Sequence, residues 1–442
     1  MSSSVTPDAI VVGSGPNGLA AAITLARQGL SVRVYEAAET AGGGLRSADL
    51  TLPGYVHDVC ATVVATALAS PFMRSLDLER HGVQYAHPEL PLGHALDDRA
   101  VLLSRDLDAT AEGLGRDGPA YRRLMGPLLR DAEAGRLLGS ILRPVAQVPR
   151  HPLAVLRFAL PAVASVTALT GLVFREAPAR ALLAGLSAHS MLPLRQPASA
   201  SFGLVLGLTA HMVGWPVVQG GSQRFADALI AELESLGGEV VTGTRVESLD
   251  ELPPTRAVLL DTTPRAAAVI AGERLPGRYR RKLERFRYGP GACKVDWALS
   301  EPIPWRSPEL AGAGTVHLGG TIEELEAAER VVHQGRVAER PFVLLVQATV
   351  ADPSRAPSGR HTAWAYAHVP NGSPADVADR IEVQIERFAP GFREIVLGRA
   401  VRTAPELEAY NANYVGGDIN GGVGDLPQLL ARPTFGPDPY SM

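Results

Sequence analysis

The chain has 442 residues, enough for two or three domains with a large buried core. Its 46% hydrophobic and 20% charged residues describe an ordinary soluble globular protein, and a net charge of -4 with no basic run argues against nucleic acid as a partner. Only Cys60 and Cys293 are present, far apart, so neither a disulfide framework nor a zinc site is expected, no metal is called for, and a reducing cytoplasm is the simplest setting.

Eight residues precede the first strand pattern, without the charged and apolar regions of a signal peptide. Ala9-Ile10-Val11-Val12 is a short apolar, β-branched run that reads as a buried strand. It leads into Gly13-Ser14-Gly15-Pro16-Asn17-Gly18, a complete G-x-G-x-x-G. A helical pattern over 19–28 follows, closed by Gly29, and a second strand over 31–35 ends on Glu36. Each part has a physical task. Gly13 permits a tight turn, Gly15 lets backbone approach a pyrophosphate, and Gly18 lets helix and strand pack closely. The helix start, with Ser14, Pro16 and Asn17 in the motif, offers its unpaired N–H groups (Pro16 has none) and a favourable dipole to phosphate. Glu36, 23 residues after Gly13 and followed by Ala37, can accept from both ribose hydroxyls and would repel the 2′-phosphate of NADP.

Ala41-Gly42-Gly43-Gly44-Leu45-Arg46-Ser47 then adds three glycines and an arginine. Glycines here let backbone lie against a bulky cofactor, and Arg46 can meet phosphate oxygens as a planar fork. A domain for NAD alone has no need of this second cluster, so FAD is the expected cofactor. Gly43, Gly44, Leu45 and Arg46 join the candidate cofactor-binding set. The stretch resembles the Gly-Gly-x-x-Arg-Ser/Thr motif of the FAD-containing amine oxidase and phytoene desaturase superfamily.

In that family the following region folds back beside the flavin, which makes His57 and Asp58 the first catalytic candidates; the plain alternative is a strand-end histidine bonded to its neighbour. Asp97-Asp98-Arg99 reads as a hairpin turn rather than a carboxylate pair, and 106–138 as helices. From 140 to 216 acidic residues almost vanish and prolines recur. Short apolar helices of this kind suit a cap over a hydrophobic cavity, plain helical core, or a surface resting on a membrane with Arg143, Arg150, Arg157 and Arg175 at its flanks. The longest uncharged stretch, 158–174, is too short and too broken to span a bilayer.

After Trp215-Pro216 and Gly220-Gly221-Ser222, Phe225, Leu229, Leu233 and Leu236 mark one face of a helix, followed by strands over 239–242 and 257–261. The resemblance implies that Val246 contacts adenine and that the turn holding Thr262 lies near the cofactor. From 288 to 369 the pattern has period 2: Cys293, Val295, Trp297 and Leu299 alternate with Lys294 and Asp296, and Trp364 and Tyr366 alternate with alanines. The aromatic face, with Trp364 and Tyr366, is a candidate wall for a substrate cavity. A charged helix over 322–333 is expected at the surface.

The segments 215–222, 294–298 and 413–419 also resemble the phytoene-desaturase-like branch, closest to its pyridine-nucleotide-disulfide-oxidoreductase-domain subgroup. The expected fold is α/β: a Rossmann-type (GR2-like) FAD-binding domain over 1–75, 215–290 and 400–442, an inserted α+β substrate domain over 76–139 and 291–399, and a helical cap over 140–214. The resemblance implies hydride removal from a small apolar, often polyene, substrate to flavin, as a desaturase, dehydrogenase or isomerase, with the electron acceptor (oxygen or a quinone) left open. Rivals are an amine-oxidase-like dehydrogenase of a smaller polar substrate and a non-enzymatic binding protein like the GDP-dissociation inhibitors. The family continues past the segment matching Pro439-Tyr440-Ser441 with a strand, a glycine-rich turn and a helix, whereas this chain stops at Met442. That leaves a tail not included here and poor FAD binding as alternatives.

Overall fold

The computed structural model describes residues 6–141 and 149–433, so Arg143, Pro144 and the segment 434–442 lie outside the described residues. Four parallel strands form the first sheet, in the order Ala257–Leu260, Ala9–Val12, Val32–Tyr35, Glu239–Val241. Ala9–Val12 is buried on both faces, which is why it is apolar without alternation. Val12 is level with Leu260 on one side and Tyr35 on the other. The register therefore places the next residues, Gly13, Asp261 and Glu36, side by side at one end of the sheet.

The helix Pro16–Ala26 begins three residues earlier than its apolar pattern indicates. Proline suits the first helical position, where its missing N–H costs nothing, so the last three residues of the glycine motif are already helical. Leu19 and Ile23 pack with Phe225, Leu229 and Leu233 of the helix Gln223–Ser235 in one core. Val246 lies in a loop, buried with Ile10, Val12 and Ile270.

The second sheet has seven strands, in the order Val396–Arg402, Gly291–Leu299, His361–Val369, Val343–Val346, Ala313–Leu318, Leu90–Ala95, Ala100–Leu103. Its one parallel pair joins Ala313–Leu318 to Leu90–Ala95. The hairpin at its end closes through Leu96 N–H donating to the Arg99 carbonyl (2.8 Å), with Asp97 and Asp98 in the turn.

Cross-strand register decides which residues share a face. Cys293, Val295 and Trp297 stand opposite Ala367, Ala365 and Ala363, so the bulky residues of one strand share a face with the alanines of the next. That face is covered by the helix Ala378–Phe388. Trp364 and Tyr366 stand on the other face, opposite Asp296 and Lys294. There the helices Pro152–Ala162, Val166–Val173, Ala177–Ala188 and Ser199–Val213 form the cap, joined by Gly118–Glu133. The helix Ile322–His333 is less peripheral than its charge implies: Glu329 on its inner side is buried against His368 Nδ1 at 2.8 Å.

Among the described residues no single helix is long and apolar enough to cross a membrane; Pro152–Ala162 and Val166–Val173 meet at 98°. Their outer side exposes Leu153, Leu156, Leu160 and Leu172.

Candidate cofactor and substrate site

Gly13 turns the chain out of the first strand with φ of 106°, and a Cβ there would stand 2.6 Å from the Asp261 carbonyl oxygen. Conformation and space both demand glycine. Ser14 is fully buried. Its N–H donates to Glu36 Oε2 (3.1 Å), its hydroxyl donates to the same oxygen, and its Oγ accepts the Gly42 N–H at 3.1 Å. One serine thus joins the first glycine turn, the acid and the second glycine cluster. Glu36 Oε1 accepts from Ala38 N–H at 2.9 Å, and a carboxylate with about four lone-pair directions keeps acceptor capacity for hydroxyls. The Gly18 N–H donates to Asp261 Oδ2 at 2.8 Å. Among the described residues, the N–H groups of Gly15 and Asn17 have no partner and are what the helix start offers an anion.

The second glycine cluster lies directly on the first. Gly43 has φ of 57°, and its added Cβ would be 2.9 Å from Gly15 Cα. Arg46, 8% exposed, donates from Nε to the Gly43 carbonyl (3.0 Å) and from Nη2 to the Tyr410 carbonyl (3.4 Å), with its guanidinium 4.1 Å from the Tyr410 ring centroid. Leu45 is placed differently from its expected role: its side chain packs in the core with Phe225 and Ala226, so only its backbone belongs to the turn. Ala37 is exposed beside Glu36. The Thr244 N–H donates to the Glu36 carbonyl (2.8 Å), which sets the loop carrying Val246 against the acid. Asn17 and Thr262 line a groove of about 710 Å³ along the outer strand Ala257–Leu260, together with Asp261 and Asn413.

A second cavity, of about 200 Å³, opens beside the glycine cluster. The link is direct: Ala61, in its wall, donates its N–H to the Gly44 carbonyl at 2.9 Å. Trp364 and Tyr366 line it, nearly parallel with centroids 6.1 Å apart, along with Trp215, His189 and Cys60. No carboxylate, lysine or arginine is among its lining residues. Trp364 Nε1–H donates to Thr62 Oγ1 at 2.9 Å, which holds the indole in place. His189 Nε2 and His317 Nε2 share a hydrogen bond of 2.8 Å, and burial holds the His189 imidazole down at about 3, so this wall is neutral at physiological pH. Burial also pushes the Cys60 thiol up.

Comparison with known proteins agrees with this geometry. The model of an NAD(P)-binding Rossmann-like domain matches residues 11–76. The pyridine nucleotide-disulfide oxidoreductase domain-containing protein 2 of Rattus norvegicus is 25% identical, covering 97% of this chain and 86% of its own. A lycopene-forming phytoene desaturase of a Paracoccus species is 25% identical over 92% of this chain and 86% of its own. A putrescine oxidase double mutant shares the fold, with a TM-score of 0.57 at 19% identity, covering 90% of this chain and 84% of that one. Over most of its length the chain is similar to these oxidoreductases, and it has the Rossmann-type fold of the flavin-dependent amine oxidases.

His57 and Asp58 do not line the apolar cavity. His57 shares a hydrogen bond with Thr51 Oγ1 (2.9 Å) and has Nδ1 3.5 Å from Asp296 Oδ1. The neighbour contact expected between His57 and Asp58 is absent. Successive strand residues point to opposite sides, and Asp58 instead pairs with Arg355 at 2.6 Å.

Sequence reasoning missed Asp261, although it closes a recognised strand pattern; its proximity to Gly18 depends on strand order. Burial pushes its carboxyl above the usual range, and nearby Glu36 adds to the rise. It also missed His189, Trp215 and Thr315 in the cavity wall, which come from separate elements.

Proposed function

We propose that the chain is an FAD-dependent dehydrogenase of an apolar substrate, with FAD held by the double glycine turn and the substrate in the adjoining aromatic cavity. The observation that carries this is the contact of Gly43 with Gly15, continued by the Ala61–Gly44 hydrogen bond. It links the first glycine turn through the second glycine cluster to the cavity wall by direct backbone contacts. A dinucleotide alone ends at the turn, whereas a cofactor with a large ring extends from the turn toward the cavity.

The residues fit FAD. Glycines let the two turns pack backbone against backbone where a Cβ on Gly13 or Gly43 would collide with its neighbours, open N–H groups stand at Gly15 and Asn17, Glu36 suits ribose hydroxyls, and Arg46 is a buried cation with no carboxylate partner among the described residues. When bound, FAD supplies a two-electron acceptor for hydride. The protein's own part is to exclude water, orient the substrate against aromatic faces and hold the polar end of the cofactor. With no ionisable acid or base at neutral pH in the wall, it does little proton transfer there.

The same neutral wall favours an apolar substrate over an amine. An ammonium group entering this cavity would find no carboxylate, and burying an unpaired charge is costly. A volume of about 200 Å³ suits a segment of a long aliphatic or polyene chain, with the rest extending through the mouth.

The test is spectroscopic. The purified chain is mixed with FAD, passed through gel filtration, and titrated anaerobically with polyenes and with aliphatic amines while the flavin band is followed. Retention of the band and bleaching by the polyene series is the expected outcome. Bleaching by amines alone would overturn the apolar assignment, and a colourless protein would overturn the cofactor assignment.

A further inference from the structure

Resting on the FAD assignment, a second feature of the site becomes interpretable. Arg402 ends the strand Val396–Arg402, at the edge of the seven-stranded sheet and opposite Lys294. Lys294 is neutralised by Asp296. Arg402 is not. Among the described residues its side chain has no carboxylate within ion-pair distance, its Nη1 is buried without a hydrogen bond, and its guanidinium rests 5.0 Å from the Tyr410 ring centroid. Arg46 approaches the same ring at 4.1 Å.

Two uncompensated guanidinium groups on one phenol ring repel each other, and neither is fully hydrated. The acids nearby are otherwise engaged. Glu406 accepts from the Thr403 N–H (2.8 Å) and hydroxyl (2.7 Å), Asp296 is bonded to Lys294, and Glu36 is held by Ser14 and Ala38. Cation–π contact with Tyr410 offsets part of the cost but does not cancel charge. Such an arrangement suits an anion that arrives from outside the chain.

Position says which anion. Arg46 follows the single turn Gly43–Leu45, and Gly43 lies against Gly15, whose N–H is open. The arginine pair is therefore tied to the phosphate-binding turn. A pyrophosphate carries two negative charges in the interior of a dinucleotide, matching two cations. We propose that Arg402 is a cofactor-binding residue that, with Arg46 across Tyr410, completes the pyrophosphate site, so that the edge of the seven-stranded sheet reaches over to hold the dinucleotide. Fork-shaped donors suit this better than lysine, because each can meet two oxygens.

The experiment uses the full chain and Arg402→Gln and Arg402→Lys variants. FAD and riboflavin affinities are measured by flavin fluorescence, with inorganic pyrophosphate as competitor, and melting temperatures are taken without and with FAD. Arg402→Gln is expected to weaken FAD roughly 10- to 100-fold, as for loss of charge-assisted hydrogen bonds, and Arg402→Lys only about threefold. Riboflavin, which lacks phosphate, should bind both variants as it binds the parent. Pyrophosphate should displace FAD from the parent far better than from Arg402→Gln. Without FAD, Arg402→Gln should melt no lower than the parent, because an unpaired charge has been removed; a purely structural arginine would give the opposite. Unchanged FAD affinity in Arg402→Gln overturns the inference alone. Equal losses for FAD and riboflavin overturn it in favour of a ring contact. A parent chain that binds no FAD overturns the cofactor assignment as well.

Discussion

Arg355 Nη1 donates to Asp58 Oδ2 at 2.6 Å, with both side chains wholly excluded from solvent and 297 residues apart in the chain. The pair is the centre of a network. Asp58 Oδ1 also accepts the Ser47 hydroxyl and the Ser222 N–H, each at 2.7 Å. Arg355 donates to Asp352 (2.9 Å) and to the Val218 carbonyl (2.7 Å), and Asp352 accepts the Gly220 N–H at 2.7 Å. The end of the second glycine cluster and the Gly220-Gly221-Ser222 turn are thereby fastened to one buried guanidinium.

Removing that guanidinium leaves two buried carboxylates without a cation, so Arg355→Met should cost about 3–5 kcal/mol. Burial raises the Asp58 carboxyl, but Arg355 outweighs it and the net shift is downward. A depressed acid gives stability that is present above the unfolded value of 3.8 and is lost as pH falls through the folded value. Asp58→Asn should therefore lower stability at pH 7 and flatten the acid limb of the unfolding profile. Denaturant titrations from pH 3 to 7 check both. A stable Asp58→Asn protein with a normal acid limb that loses only turnover would instead restore Asp58 as a catalytic group.

Burial holds His94 down at about 4, against partial relief from the Gly320 carbonyl, which its Nε2 contacts at 2.8 Å. The folded value lies below the ordinary 6.5, so the neutral form's stability is complete above pH 6.5 and is lost as pH falls toward 4. For this group the loss is on the order of 3 kcal/mol. His189 and His317 are shifted in the same direction, also by burial first, and steepen the decline. His94→Gln can still donate to Gly320 and should flatten the slope between pH 6.5 and 4.5 in urea melts. An unaltered slope would mean that His94 is already protonated in the folded chain.

Gly43 and Gly29 both have positive φ, 57° and 81°, yet differ in surroundings: a Cβ on Gly43 meets Gly15 Cα at 2.9 Å, and one on Gly29 meets nothing within 4 Å. Alanine at either position costs about 1–2 kcal/mol of backbone strain. Only Gly43→Ala should also push the phosphate-binding turn, weakening FAD at least roughly tenfold, a 1.4 kcal/mol effect. Equal FAD affinities in the two variants, measured by flavin fluorescence, would separate the second glycine cluster from cofactor binding.

Asp261 is the opposite case to Asp58. Burial raises its carboxyl above 3.8, with Glu36 adding repulsion, so its ionised form is a liability that is absent below 3.8 and grows as pH rises through the folded value. Asp261→Asn keeps an oxygen for the Gly18 N–H and removes the charge. The variant should melt higher than the parent at pH 7 and bind FAD more tightly, since one negative charge near the phosphate site is gone. A lower melting point would show that the carboxylate's hydrogen bond outweighs its desolvation.

The strand–glycine turn–helix unit was legible because its physics is local. Gly13 to Gly18 make one turn and one helix start, and Glu36 ends the next strand, so spacing along the chain already implies proximity in space. The charged helix Ile322–His333 and the hairpin around Asp97 and Asp98 were legible for the same reason. Other features depend on which strand lies beside which, and a single sequence has no signal for that. Period 2 revealed that Trp297 and Trp364 alternate with small or polar neighbours, but not that they stand on opposite faces; cross-strand register decides that. The destination of Asp58 depended on a residue 297 positions away. The cavity joins Cys60, His189, Trp215, Thr315 and Trp364 from five separate stretches, and only the closing of the cap over the sheet brings them together. Sequence by itself determined the dinucleotide fold and its acid, because short-range turns and helix starts are encoded where they occur. The tertiary structure alone decided which buried charges are paired and which, like Arg46 and Arg402, have no carboxylate partner among the described residues, because charge compensation is settled by neighbours in space.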